Sequence, residues 1–382
     1  MSKQIPADEV VGVRLFTRAP ITLPWLARSI VPVARGLHQD GQPGVRLRRG
    51  WLHGSHVDVL ARPARGRAPA WDDVAAGLDA GPLDPATAVG EETYLDQARE
   101  FGRLEAVPPP YLPMAAHGAV ELLGPDDVAF RDAGMAGLSE LDLVDSVLTV
   151  PLLSAIDELA ARPALASTRL AEAFAALADA HYLGLAYGVF SFRSHAEAFL
   201  AWAAPTKDLR PVFAARLAGE VAALRPVVEQ RLTGDVSAAA AAWRTAAAYS
   251  AGTLDSAVSA GRLTLEMLDS VSAGTDRTGM GPPTDPQVVP QGAQPDTDFH
   301  HAMAGVTADP DRWFAGYRAL INVFYRKLPL LTVSPLQRYY TCYAVAELVD
   351  EVLGESWRQR LDRPRVRVPE RSADLQPVGG RS

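Results

Sequence analysis

One cysteine, Cys342, in a chain of 382 residues excludes an internal disulfide and any metal site built from clustered thiolates. It lies in an apolar helical stretch and reads as a small core residue. No apolar run reaches the ~18–20 residues needed to cross a bilayer. The first residues also lack the charged, apolar and small-residue order of a signal peptide, so a cytosolic protein is expected. Equally absent are a Walker phosphate loop, a Gly-x-Gly-x-x-Gly turn after a strand, a Gly-x-Ser-x-Gly elbow and a His-Glu-x-x-His helix. Nucleotide-dependent, hydrolytic and metalloprotease chemistries lose their main support. His53 and His56 flank a glycine turn and His300 adjoins His301, but neither pair has a ligand spacing completed by carboxylate or cysteine, and no metal is expected.

With 48% hydrophobic and 21% charged residues the chain can bury a large core in one large or two intimate domains. The net charge of −8 is unevenly spread: residues 1–70 hold eleven Lys/Arg against four Asp/Glu, leaving +7 there and −15 on the remainder. A nucleic-acid binder is more often basic throughout, so an acidic peptide is the more economical partner for this region. The alternative is a solvated basic edge.

Val10–Phe16, Val45–Leu52 and His56–Ala61 read as strands and Pro24–Leu37 as a helix, a β-α-β-β start whose sheet edge could accept an extended peptide. Short helices are expected at Asp72–Leu78 and Glu91–Phe101, then a stiff proline connector at Val107–Pro113 and a brief strand at Ala119–Leu123. Leu141, Val144, Val147, Leu148, Leu152, Ile156 and Leu159 mark a helix ended by Pro163. Further helices are expected at Ser167–Leu183, Phe192–Ala203, Leu209–Leu232, Ser237–Leu268, Trp313–Leu328 and Ser334–Leu353. Residues 272–297, rich in Gly, Pro, Asp and Thr, read as an exposed loop or lid, and 355–382 as a disordered tail. The fold class is therefore α+β: a sheet region over 1–70 and a mostly helical body over 71–354, folded together as one unit.

Besides the Trp51-Leu-His-Gly-Ser-His56 turn, three stretches gather reactive side chains. In Ser334-Pro-Leu-Gln-Arg-Tyr-Tyr-Thr-Cys-Tyr-Ala-Val-Ala-Glu347, Ser334 followed by Gln337 predicts a capping box, and helical spacing puts Tyr340, Tyr343 and Glu347 on one side, flanked by Tyr339. Phenols and a carboxylate on an apolar helix suit proton transfer; equally, the tyrosines suit a core with satisfied hydroxyls. In Ser191-Phe-Arg-Ser-His-Ala-Glu197, Arg193 and Glu197 are four apart around His195, an arrangement able to hold one histidine tautomer, or simply a polar helix start. His300 and His301 form the third.

Taken in order, Trp51-Leu-His-Gly-Ser-His56-Val-Asp-Val, Phe101-Gly-Arg-Leu-Glu105, Pro109-Pro-Tyr-Leu-Pro-Met-Ala-Ala-His-Gly-Ala-Val120, Ser191 to Glu197, Tyr317 to Tyr325 and Ser334 to Glu347 resemble the elimination domain of class I lantibiotic dehydratases. Within that family the chain is similar to the stand-alone thiopeptide pyridine synthases, over residues 10–355. Glutamate-eliminating members carry arginines in a His-Leu-Arg-Leu-Arg strand and a His-Met-His-x-Asn-Arg stretch. Here the counterparts are His56-Val-Asp58-Val-Leu and His300-His301-Ala-Met303-Ala, and an aspartate in place of an arginine disfavours a glutamyl ligand.

The resemblance implies a formal aza-[4+2] cycloaddition between two dehydroalanines of a modified precursor peptide, one reacting as the iminol of its amide. Loss of water and expulsion of the leader as an amide then leave a pyridine, with no metal or redox cofactor. It implies Tyr340 as the proton-handling or amide-polarising group, with Ser334, His195, Arg193 and Glu197 as further catalytic candidates. Tyr339, Tyr343, Glu105 and His300 would bind substrate, and Arg46, Arg48 and Arg49 an acidic leader. Neither nucleic acid nor membrane is an expected partner, and monomer and homodimer both remain open. Two other functions compete: a glutamate-eliminating lyase working with a separate glutamyl-transferring partner, and a non-catalytic leader-binding scaffold.

Overall fold

Alternation of branched apolar and polar residues builds a four-stranded antiparallel sheet from β1 (Gly12–Phe16), β2 (Arg46–Gly50), β3 (His56–Leu60) and β4 (Val120–Leu123), in the order β2-β3-β1-β4. The structure is a computed structural model describing residues 6, 9–62, 69–105, 107–128, 139–205, 207–270, 295–307 and 312–363. Val13, Leu15, Leu47, Val57 and Val59 point to one sheet face and are buried in the main core. On the opposite face, Arg14 and Arg48 both lie in register with Asp58. The β-α-β-β start is present, and the brief strand expected near residue 120 joins it as β4, beside β1.

Between β1 and β2 the expected helix runs as α1 (Leu23–Trp25), a π turn (Leu26–Ile30) and α2 (Val31–Gln39). Pro32 has no N–H to give, and the ladder widens immediately before it. Short helices α3 (Trp71–Ala76), α4 (Glu91–Leu104) and α5 (Pro125–Val128) flank the remaining sheet connections. The body comprises α6 (Ser139–Ala161), α7 (Ala166–Asp179), α8 (Leu185–Ala203), α9 (Arg210–Thr233), α10 (Ala238–Ser259) and α11 (Leu265–Ser270). It continues with α12 (Asp298–Thr307), α13 (Arg312–Tyr325), α14 (Pro335–Leu353) and α15 (Trp357–Leu361). Helix α14 packs on α7, α8 and α9, while α10 packs on α6, α7 and α13. Helices α7 and α8 touch so closely at Gly188 that a Cβ there would lie 2.0 Å from the Ala178 carbonyl oxygen.

Several boundaries differ from expectation. Helix α8 begins at Leu185 rather than Phe192, because Leu185, Val189 and Phe190 extend its buried surface. The single helix expected over Ser237–Leu268 breaks after Ser259, where Gly261 takes a φ of 69°. The tail expected from residue 355 begins as α15, whose capping box joins Ser356 and Gln359 and which buries Arg360. At Ser334 only half the expected box forms: Ser334 Oγ accepts the Gln337 N–H at 3.2 Å, while the Gln337 side chain reaches Thr341 instead. The expected lid falls almost wholly outside the described residues, as does 364–382. Among the described residues no helix is long and apolar enough to cross a membrane.

The positive N-terminal charge is answered within the chain. Arg46 and Arg62 pair with Asp142, Arg48 with Asp145 at 3.1 Å and Arg35 with Asp157 at 2.5 Å, all on α6. Arg14 grips Asp58 through two hydrogen bonds of 2.7 and 2.9 Å. For Arg46, Arg48, Arg62 and Arg35, acidic partners are thus already supplied by the chain's own helix α6. Arg46 is buried, and β2's Leu47 carbonyl is occupied by Lys327 Nζ at 3.0 Å. Of the three leader candidates only Arg49 is exposed, donating to the Pro329 carbonyl at 2.9 Å.

Candidate active site

Helix α14 presents chemistry on two opposite sides, because residues 338 and 342 share one face and 340, 343 and 347 another. On the second face Tyr340 is buried against α9. Its hydroxyl donates to Glu220 Oε2 at 2.9 Å, and the Arg216 guanidinium carbon stands 3.8 Å from its ring centroid. Arg216 also pairs with Glu220 at 2.9 Å. Burial, reinforced by the Glu220 carboxylate, pushes the Tyr340 hydroxyl pKa above the ordinary phenol value. Tyr343 packs near Phe213 and is shifted the same way, by burial first and then Glu347. Between the two faces Tyr339 stacks on Phe199 with centroids 4.2 Å apart and planes 5° from parallel.

On the first face a hydrogen-bonded chain crosses three helices. His195 Nδ1 on α8 meets the Tyr325 hydroxyl of α13 at 2.8 Å, and that hydroxyl contacts Cys342 Sγ on α14 at 3.3 Å. Arg338 lies beside them, its guanidinium carbon 4.9 Å from the Tyr325 ring centroid and 4.5 Å from that of Tyr339. Burial lowers the His195 pKa to about 4, with the charges of Arg338, Arg318 and His300 acting in the same direction. Burial raises the Cys342 thiol to about 12, so it is a core thiol rather than a nucleophile. At neutral pH the chain is uncharged throughout, and a neutral imidazole beside a phenol can accept or relay a proton.

The structure separates the triplet expected around His195. Arg193 turns to α14, donating to Glu347 at 2.6 Å, Asp350 at 2.9 Å and the Ala346 carbonyl at 3.1 Å. Asp350 is shared with buried Arg360, so Arg193 belongs to an ion-pair cluster locking α8, α14 and α15 together. Glu197 pairs with Arg210 through contacts of 3.1 and 2.6 Å. The residue that orients His195 is Tyr325, 130 positions away, which no local spacing could reveal. His300 meets the Ser194 hydroxyl at 3.0 Å and Thr297 at 2.6 Å, next to the His195 region. Ser334 is exposed and serves as the α14 cap. Glu105 accepts from Trp51 Nε1 at 2.9 Å, beside a second, smaller apolar cluster of Tyr94, Ala98, Tyr111 and Met114. Sequence reasoning missed Tyr325, Arg338, Glu220 and Arg216. Among the described residues no three His, Cys, Asp or Glu side chains converge as a metal set.

The neutral His195 carries a stability signature. Its folded pKa of about 4 lies below the free value of 6.5, so the unfolded chain binds the proton first as pH falls. The His195 contribution to stability is complete above pH 6.5 and should fall by about 2–3 kcal/mol on going from pH 7.5 to 4.5, at ~1.4 kcal/mol per pH unit. Denaturant titrations at the two pH values should give His195→Gln a pH-dependent loss smaller by that amount.

No protein-family model and no curated protein matches the sequence. Among solved structures the fold is similar to that of TbtD, a pyridine synthase from thiomuracin biosynthesis. Identity is 19% and the TM-score 0.62, over 91% of this chain and 99% of that one. It is also similar to TsrL, at 16% identity and a TM-score of 0.58, over 93% of this chain and 98% of the other. The chain thus has the α+β fold of these proteins.

Proposed function

We propose that this chain is a thiopeptide pyridine synthase, acting on a modified precursor peptide that carries two dehydroalanines. The observation that carries the reading is the extent of the likeness to TbtD: 91% of one chain and 99% of the other align, so nearly the whole fold is shared. One dehydroalanine, as the iminol of its amide, adds to the other to give a hydroxylated six-membered nitrogen ring. Departure of water and then of the leader as its amide leaves the pyridine. Holding both alkenes in a reactive pose is worth ~7–11 kcal/mol of barrier, and the remaining demand is for weak acids and bases at the amide and hydroxyl.

Two pairs on opposite faces of α14 offer such groups: the Tyr340 phenol on the Glu220 carboxylate and the neutral His195–Tyr325 pair. Tyr340 is buried while Glu220 is part-exposed, so Tyr340 acts through the carboxylate it donates to. His195, held by Tyr325, is the base or relay on the other face. Leader binding falls to the sheet's open side: among the described residues β4 has β1 alone as its strand neighbour and exposes Val120 and Leu122. The glutamate-eliminating alternative needs a cation free to hold a carboxylate at the Asp58 strand, and the Arg14–Asp58 pair uses up the charge there. The scaffold alternative predicts binding without turnover.

Incubation with a leader-bearing bis-dehydroalanine peptide, followed by mass spectrometry, tests the reading. The expected product is the parent mass less water and the leader amide, with new pyridine absorbance. An unchanged peptide bound through its leader would favour the scaffold. Dehydroalanine formation from a glutamylated precursor would favour the lyase.

A further inference from the structure

Arg338 is the unusual cation of this site. It projects from the first turns of α14 and lies against the rings of Tyr325 and Tyr339, its Nε enclosed without a hydrogen-bond partner among the described residues. The neighbouring site arginines are differently placed: Arg193 binds Glu347 and Asp350, Arg210 binds Glu197, and Arg216 binds Glu220. No carboxylate lies within ion-pair distance of Arg338 among the described residues, and its contacts are aromatic. A planar guanidinium held by two rings keeps its N–H edge for an acceptor and loses little freedom on binding one. Beside it stands the His195–Tyr325 pair, one residue from Ser194 and its partner His300.

We propose that Arg338 receives the amide oxygen of the reacting dehydroalanine and polarises it for conversion to the iminol. The inference rests on the pyridine synthase reading and deepens it. The step is a tautomerisation: the amide N–H proton leaves nitrogen, the C–N bond gains double-bond character, and the oxygen takes up a proton, so no atom is gained or lost. Negative charge develops on that oxygen as the nitrogen proton departs, and a preoriented cation stabilises this state more than the neutral amide. His195 lies on the same side of α14 and takes or relays the proton. A carboxylate partner to Arg338 would cancel the field at that oxygen, and here the cation is held by rings instead.

The experiment compares Arg338→Gln, Arg338→Lys and Arg338→Ala with wild-type protein on the bis-dehydroalanine peptide. Arg338→Gln is expected to lower kcat by roughly 10²–10³-fold, the usual loss for one oxyanion donor, with KM and Tm little changed. Arg338→Lys should recover part of the rate, because the charge remains without the planar fork. Millimolar guanidinium should restore turnover to Arg338→Ala, which a purely structural defect would not permit. A kcat for Arg338→Gln within about threefold of a turning-over wild type would overturn the proposal, as would a loss seen only in KM or Tm with no rescue. If wild-type protein forms no pyridine, the underlying reading fails and this inference falls with it.

Discussion

Asp145→Ala should destabilise the protein by about 3–5 kcal/mol, the largest stability effect expected of any single polar change here. Asp145 is buried on α6 and pairs with the ammonium of Lys327, which is 1% exposed. That ammonium also donates to Thr149 Oγ1 and to the Leu47 carbonyl, each at 3.0 Å, so one cation ties α6, β2 and the turn after α13. Burial, and after it the nearby charges of Arg48 and Arg46, press the Lys327 pKa down, and the Asp145 carboxylate in direct contact opposes them and holds the ammonium charged. Removing Asp145 therefore takes the carboxylate from buried Lys327 and one of its two carboxylate partners from Arg48. Lys327→Met should cost less, because Asp145 keeps Arg48 as a partner. The double variant Asp145→Leu/Lys327→Met should regain much of the loss, since an apolar pair needs no desolvated charge. Denaturant midpoints at pH 7 read all three. A change below about 1 kcal/mol for Asp145→Ala would mean that the cluster is solvated and does not clamp the sheet to the body.

This clamp also shows what the charge split along the sequence leaves out. Composition places +7 on residues 1–70 but does not say which surface the charges meet. Asp142, Asp145 and Asp157 recur at helical spacing on α6, and in sequence they look like the polar residues of an ordinary helix. Only the sheet's seating on α6 makes them partners of Arg46, Arg48, Arg62 and Arg35. Elements with local signals were legible: the strands alternate, Ser334 and Pro335 announce α14, and Pro163 ends α6 and opens a short 3₁₀ turn. Helix α15 was hidden because a chain rich in Arg and Pro resembles a tail, although Ser356 and Gln359 carry a capping pattern. At the site, helical spacing grouped Tyr340 and Tyr343 correctly on one face. Pairings to Glu220, Tyr325 and Arg360 span long separations and depend on which helices become neighbours. For the same reason the sequence does not show that Arg193, two residues from His195, meets acids more than 150 residues along the chain.

Tyr340→Phe should lower the rate of pyridine formation by roughly 10²-fold or more while costing only about 1 kcal/mol of stability. The ring is retained, so packing on Phe213 and the Arg216 contact persist, and only the hydrogen bond to Glu220 is lost. Glu220 keeps its ion pair with Arg216 at 2.9 Å, so no buried charge is stranded. A structural tyrosine would therefore report as a small fall in Tm with unchanged kcat. A proton-handling tyrosine reports in kcat, with leader affinity preserved because the sheet lies on another part of the fold. On the proposed reading, in which Tyr340 acts through Glu220, Glu220→Gln should slow turnover to a similar degree. The double variant should be little slower than either single one, as expected for two groups working as a unit. Additive losses would mean that the two act separately, and full activity of Tyr340→Phe would remove this face of α14 from the chemistry. The site would then reduce to His195, Tyr325 and Arg338.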